Sequence, residues 1–177
     1  MNAMEIERKW LVDPENIPYE LSGLDSCRIE QHYITFSPAI RIRSINCGEQ
    51  YIMTVKTHPD GDDSSPLARE EHEFPISAWD FEKLREEAKG VPVCKTRYFH
   101  VLPCGLKEEI DVFDGDLSGL VFLEIEFPDL ASAEAYPDPY WVTRDVSDDG
   151  RYKNSSLAAY GRPSADSAEE GAGNQRN

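Results

Sequence analysis

Apolar and polar residues alternate with a period of two over most of the chain. Successive side chains of a strand point to opposite faces, so each alternating run reads as a strand. Eight strands are predicted, at 4–12, 28–36, 39–45, 50–57, 68–76, 93–102, 107–113 and 120–127. Turn signals separate most of them: Ser37-Pro38, Cys47-Gly48, Pro103-Cys104-Gly105 and the Gly115 to Gly119 stretch. One clear helix interrupts the series. Ser77 is its N-cap with Asp80 in the first turn, Trp79, Leu84 and Ala88 form its inner stripe, and Gly90 lies past its end. Two shorter helices are predicted at 130–136 and 155–160. Eight strands joined mostly by short turns predict a β-dominated α+β fold. It is expected to be a closed eight-stranded antiparallel barrel with a few helices outside, because closure removes the exposed edges of such a sheet. The folded domain is placed at 1–162, and the Ala/Ser/Gly/acidic segment 163–177 reads as a disordered tail.

The alternation has an unusual sense, because one face of nearly every strand is ionisable. Glu5, Glu7 and Lys9 share a face of the first strand. The spacing recurs as Arg41/Arg43, Lys56, Arg69/Glu71/Glu73, Lys95/Arg97, Glu109/Asp111 and Glu124/Glu126. Opposite faces carry Ile6, Ile42, Val55, Ile110, Leu123 and Ile125. A solvated sheet face normally mixes in Ser, Thr, Asn and Gln; these positions are almost all Arg, Lys, Glu or Asp. If that face is turned inward, the charges must pair, stay wet or hold an ion-rich ligand, since an unpaired buried charge is very costly. A polyanion carrying a divalent cation satisfies both signs: basic side chains take phosphoryl oxygens and carboxylates take a hard cation.

Composition first points the other way. The 177 residues include 18 Lys+Arg against 34 Asp+Glu, a formal charge of −16. That balance argues against duplex nucleic acid and anionic membranes as partners. Yet seven of the 18 basic residues, Lys9, Arg41, Arg43, Lys56, Arg69, Lys95 and Arg97, fall on the inferred inner face. No stretch is apolar for the ~18–20 residues a membrane span needs. Cys27, Cys47, Cys94 and Cys104 form no CxxC or Cys/His pattern, so four reduced thiols in a cytoplasmic protein are expected. The four histidines are scattered without metal-ligand spacing, and Trp10, Trp79 and Trp141 read as packing residues.

The ordered charge pairs carry a resemblance. Glu5-Ile6-Glu7-Arg8-Lys9 resembles the N-terminal ExExK signature of the CYTH superfamily, the triphosphate tunnel metalloenzymes, and the later pairs follow in that family's order. Arg144-Asp145-Val146 with Arg151-Tyr152-Lys153-Asn154 resembles the closing segment of bacterial members. The resemblance spans roughly 4–161 and implies a charged tunnel that holds a linear triphosphate with Mg²⁺ or Mn²⁺. By that resemblance Arg41, Arg43, Lys56, Arg69, Lys95 and Arg97 would hold phosphates, and Glu5, Glu7, Glu124 and Glu126 would hold metal. Glu71, Glu73 and Asp111 would take a second metal or pair with the basic residues. Lys9 and Tyr33 would form the Lys–Tyr pair that handles the attacking water in tripolyphosphatase-like members. Arg144 and Lys153 would close one mouth as a lid, or remain a salt-bridged surface terminus. No aromatic box for an adenine or thiazole ring is evident, which favours inorganic tripolyphosphate as substrate. The alternatives are a class IV-type adenylyl cyclase, a thiamine or nucleoside triphosphatase, a non-catalytic polyphosphate binder, and an interaction domain with a solvated acidic sheet. Apolar strand surface left uncovered by the helices would suit a symmetric dimer.

Overall fold

The computed structural model describes residues 3–57 and 68–164, with side chains from 6–56 and 72–164. Nine strands form one antiparallel sheet: β1 (Ala3–Val12), β2 (Asp25–Phe36), β3 (Ala39–Ile45), β4 (Gln50–Thr57), β5 (Ala68–Pro75), β6 (Lys89–Val101), β7 (Lys107–Phe113), β8 (Val121–Glu126) and β9 (Val142–Asp145). The helices are α1 (Ala78–Glu86), α2 (Leu130–Ala135) and α3 (Asn154–Tyr160). The strand order is β5-β4-β3-β2-β6-β7-β8-β1-β9, and β1 also pairs with β5 from Ala3↔Glu71 to Ile6↔Ala68. No helix among the described residues is long and apolar enough to cross a membrane. All four cysteines are free. The expected tail lies almost wholly outside the described residues.

The ninth strand differs from the eight expected. It is four residues long, too short to display alternation, and it pairs along the C-terminal half of β1 through Trp10↔Asp145 and Leu11↔Arg144. Arg8 fixes it there, donating from Nε to Asp145 Oδ2 at 3.1 Å and from Nη2 to Asp138 Oδ1 at 2.6 Å. The first helix also differs in phase. The Ser77–Asp80 capping box forms as the residue types predict, but Phe81 is the buried anchor and Trp79 is 69% exposed. Phe81 and Leu84 follow the i, i+3 spacing of one helix face, and Ala88 lies beyond the helix, which ends at Glu86. Trp79 precedes Phe81 by two positions, about 200° around the axis, and so points away. Phe81 packs against Tyr51 and His32, seating α1 on the outside of the β2–β3–β4 region.

Two apolar clusters lie on opposite faces of the sheet. The outer cluster holds Trp10, Ile110, Leu123, Ile125 and Trp141, with Ala133 of α2 packed in. The second holds Tyr33, Val93, Phe113, Phe122 and Tyr152 together with Leu157 and Ala158 of α3. Tyr33, Val93, Phe113 and Phe122 are each two positions along the strand from Gln31, Lys95, Asp111 and Glu124, so they share their faces. The charged face therefore turns apolar where α3 packs. Gly90 permits that seating: its φ is +73°, and a Cβ there would come within 2.2 Å of the Ala158 carbonyl oxygen. It belongs to β6 and does not terminate α1, which ends at Glu86 with Glu87 as its C-cap.

Candidate active site

The i, i+2 periodicity of the strands delivers the ionisable residues to one side of the sheet, around a cavity of about 570 Å³. Arg41, Arg43, Lys56, Lys95 and Arg97 supply its cations, and Glu7, Glu73, Glu124 and Glu126 its carboxylates. Ile29, Ile45 and Ile52 add an apolar section, and Gln31 and Asn154 are its uncharged polar residues. Lys9 and Asp111 sit buried among these groups.

Register sets the ion pairs. β1 and β8 bring Lys9 opposite Glu124 and Glu7 opposite Glu126, and Lys9 Nζ lies 2.8 Å from Glu124 Oε1. β6 and β7 bring Arg97 opposite Asp111. The guanidinium grips that carboxylate with both prongs, Nε to Oδ1 and Nη2 to Oδ2, each at 2.7 Å. Lys95 also donates to Asp111, and Arg97 reaches Glu109 and Glu124. On the opposite wall Arg43 pairs with Glu73 and donates to Thr54 Oγ1 at 3.2 Å.

The proton affinities follow from this packing. Burial opposes charge on Lys9, but Glu124, Glu7 and Asp111 outweigh it and raise its pKa above the ordinary lysine range. Lys9 is thus held as a firm cation. Burial likewise opposes charge on Glu124, yet Lys9, Arg97 and Lys95 hold its carboxyl well below the usual range. Lys95 moves in the other direction. Burial, then the adjacent Arg97, lowers its pKa despite the contact with Asp111. Neighbouring arginine thus depresses Lys95 and not Lys9.

Several expected residues lie apart. Tyr33 does not line the cavity; it is 3% exposed within the apolar cluster under α3, and its hydroxyl accepts a hydrogen bond from Gln31 Nε2 at 3.0 Å. Arg144 donates to Tyr152 OH at 2.9 Å with its guanidinium carbon 5.3 Å from that ring centroid, on the turn leading into α3. Lys153 is the N-cap residue of α3 and is not part of the cavity wall. Arg69 pairs in register with Glu5, but the side chains of Glu5, Arg69 and Glu71 lie outside the described residues. Gln31, Thr54 and Asn154 were not anticipated. Gln31 and Thr54 share strand parity with Tyr33 and Lys56, so the alternation carried a signal for them; Asn154, on a helix, had none from alternation and only its place in the closing segment 151–154.

A divalent cation is implied by the donor chemistry, and the residues present fit it. Glu7 and Glu126 are oxygen donors directly opposed across β1 and β8 at the cavity wall. No preformed group of three or more His, Cys, Asp or Glu stands ready among the described residues. Mg²⁺ does not require one, because it commonly takes one or two carboxylates and completes its shell with water and substrate phosphate.

No family model matches the chain. An inorganic triphosphatase from Nitrosomonas europaea is 37% identical over 155 residues, 87% of this chain and 96% of that protein. Another from Acetivibrio thermocellus is 31% identical over 155 residues, 86% of this chain and 92% of the relative. A crystal structure of an inorganic triphosphatase matches with a TM-score of 0.62 at 36% identity, covering 87% of this chain and 93% of the other. Identity at this level over most of both chains places this chain in the inorganic triphosphatase family of the CYTH superfamily.

Proposed function

We propose that the protein hydrolyses triphosphates, inorganic tripolyphosphate foremost, with a divalent cation, in a tunnel that the strands enclose where β1 meets β5. The observation that carries this reading is a cavity lined by five cations and four carboxylates. Its relatives' shared description as inorganic triphosphatases supports the same chemistry. The apolar cluster of Phe113, Phe122 and Leu157 takes over the charged face under α3, which supports entry of a linear anion from the side of Ile29 and Ile45.

Phosphoryl transfer asks little covalent chemistry of a protein; it asks for an aligned chain of phosphates and neutralised charge on the group in flight. Arg41, Arg43 and Arg97 offer forked donors to phosphate oxygens, and Lys56 and Lys95 offer point charges. Asp111 holds Arg97 and Lys95 in place before the substrate arrives, which lowers the ordering cost of binding. Glu7 and Glu126, with Glu124 and Glu5 beside them in sequence alternation, are the residues that would hold Mg²⁺ or Mn²⁺. When bound, the ion would neutralise phosphate charge and fix the orientation of the chain. Lys9 acts as a cation: it keeps Glu124 ionised and oriented towards the cavity. Glu73 adds to the same charged wall from β5, while Arg144 and Lys153 serve the seating of α3.

Purified protein is expected to release phosphate from tripolyphosphate only with Mg²⁺ or Mn²⁺ present. Arg43→Ala and Glu126→Gln should each lower kcat/KM by about 100-fold while the protein stays folded. Cyclic AMP and diphosphate from ATP would replace this reading with a cyclase, and metal-dependent binding of every triphosphate without turnover would replace it with a sensor.

A further inference from the structure

The wall of the cavity contains a functional group that the charge pattern does not explain. Gln31 is 2% exposed, lines the cavity, and stands among Arg43, Val93 and Tyr33, its register and strand-face neighbours. Its Nε2 is committed to the Tyr33 hydroxyl at 3.0 Å. With Nε2 placed against Tyr33, Oε1 is the remaining polar atom of the side chain. Tyr33, in turn, is clamped by a stacked contact with Phe36, ring centroids 5.4 Å apart.

We propose that Gln31 is a catalytic residue whose Oε1 accepts a hydrogen bond from the attacking water, with Tyr33 as the positioning residue behind it. This rests on the triphosphatase reading above. The cavity's cations can only donate hydrogen bonds; of its carboxylates, Glu124 is engaged by Lys9 and Arg97 and Glu73 by Arg43, while Glu7 and Glu126 are the residues assigned above to the metal. A neutral acceptor can orient water towards phosphorus without repelling the phosphate oxygens, a role glutamine fills in other phosphoryl-transfer enzymes. The water oxygen bonds to the terminal phosphorus as the bridging P–O bond breaks. The electron pair leaves with diphosphate, and the water's proton ends on the phosphate product. Tyr33, shut off from the cavity, contributes by holding the amide at a fixed rotation.

Steady-state kinetics on tripolyphosphate with Mg²⁺, calorimetric binding of tripolyphosphate and thermal melting test this in Gln31→Leu, Gln31→Met, Tyr33→Phe and the Gln31→Leu/Tyr33→Phe double variant. Gln31→Leu is expected to lower kcat by about 100-fold with KM and binding within about threefold of wild type. Tyr33→Phe should cost about tenfold, and the double variant should be no slower than Gln31→Leu alone, because the two residues act through one contact. Gln31→Met supplies the same measurement if the branched side chain disturbs folding. A Tyr33→Phe loss larger than that of Gln31→Leu, additive losses in the double variant, or an unaffected Gln31→Leu would overturn the assignment while leaving the triphosphatase reading intact. So would a larger kcat loss in Asn154→Ala, since Asn154 Oδ1 is a second neutral acceptor at this cavity, buried without a hydrogen-bond partner. Absence of turnover in the wild type would remove both readings together.

Discussion

Asp111 separates two roles that an inward-facing carboxylate can play, and the substitution Asp111→Asn tests them. The side chain is fully buried and receives Lys95 and both prongs of Arg97. Removing one partner of a buried ion pair typically costs about 3–5 kcal/mol, since the surviving charge is left uncompensated. Two features of the site place the loss at the lower end. Arg97 keeps Glu109 and Glu124, and Lys95, its pKa already lowered by burial and by Arg97, can shed its proton and escape as a neutral amine. A loss of about 3 kcal/mol at about 2–4 °C per kcal/mol for a chain of this size corresponds to a melting point lowered by about 6–12 °C. Differential scanning calorimetry on the metal-free protein reads this directly. Tripolyphosphate should then stabilise the variant more than the wild type, because its oxygens replace the missing carboxylate for Lys95 and Arg97. A melting point within about 2 °C of wild type, joined to a raised Mg²⁺ requirement, would refute the reasoning. It would show that Asp111 serves as a metal ligand and that water in the cavity already compensates the cations.

Three further outcomes follow from other parts of the structure. Gly90→Ala should destabilise the protein by more than about 2 kcal/mol in urea denaturation, since its backbone is left-handed and the new methyl would meet the Ala158 carbonyl; an unchanged midpoint would mean that α3 is not seated there. Phe81→Ala, removing the buried anchor of α1 at 2% exposure, should cost about 3–5 kcal/mol, while Trp79→Ala should stay within about 0.5 kcal/mol by the same measurement. The Lys9–Glu124 pair gives a pH signature. The depressed Glu124 carboxyl contributes stability above its ordinary value of 4.5 that is lost as pH falls through the lower folded value. The raised Lys9 contributes stability that is complete below 10.5 and lost as pH climbs through the higher folded value. The stability gap between wild type and Lys9→Met should therefore be flat from pH about 5.5 to 9 and shrink on either side; a gap that varies within that window would refute the assignment.

The fold was legible where alternation was long. Runs such as Glu5 to Trp10 and Leu120 to Phe127 put charge on one face and aliphatic bulk on the other, and the structure pairs them as β1 and β8. It was illegible where an element is short or its partner is remote. β9 has four residues, and its place beside β1 depends on Arg8 bonding Asp138 and Asp145 more than 120 positions away. The phase of α1 failed for a related reason. Trp79 is the bulkier residue and invites burial, but only the packing of Phe81 against Tyr51 and His32 decides which face turns inward. At the site, parity found the charges and missed the amides. A glutamine on an inward face reads as ordinary sheet polarity until its neighbour, here Tyr33, is seen to be sealed behind it.

The net charge of −16 is compatible with a polyanion site because the relevant balance is local. Around the cavity five cations face four carboxylates, and Lys9 and Asp111 add one of each. The wall is thus close to neutral in a strongly acidic chain, and most of its cations are already matched to a carboxylate before any ligand enters. A bare triphosphate would have to draw Arg43 from Glu73, and Arg97 from Asp111 and Glu124, leaving those carboxylates without compensation in a partly desolvated space. A divalent cation entering with the phosphates removes the difficulty, since it takes up carboxylate charge as the arginines turn to phosphate oxygens. The pairing along the wall and the metal dependence proposed above would then be two consequences of the same inward face.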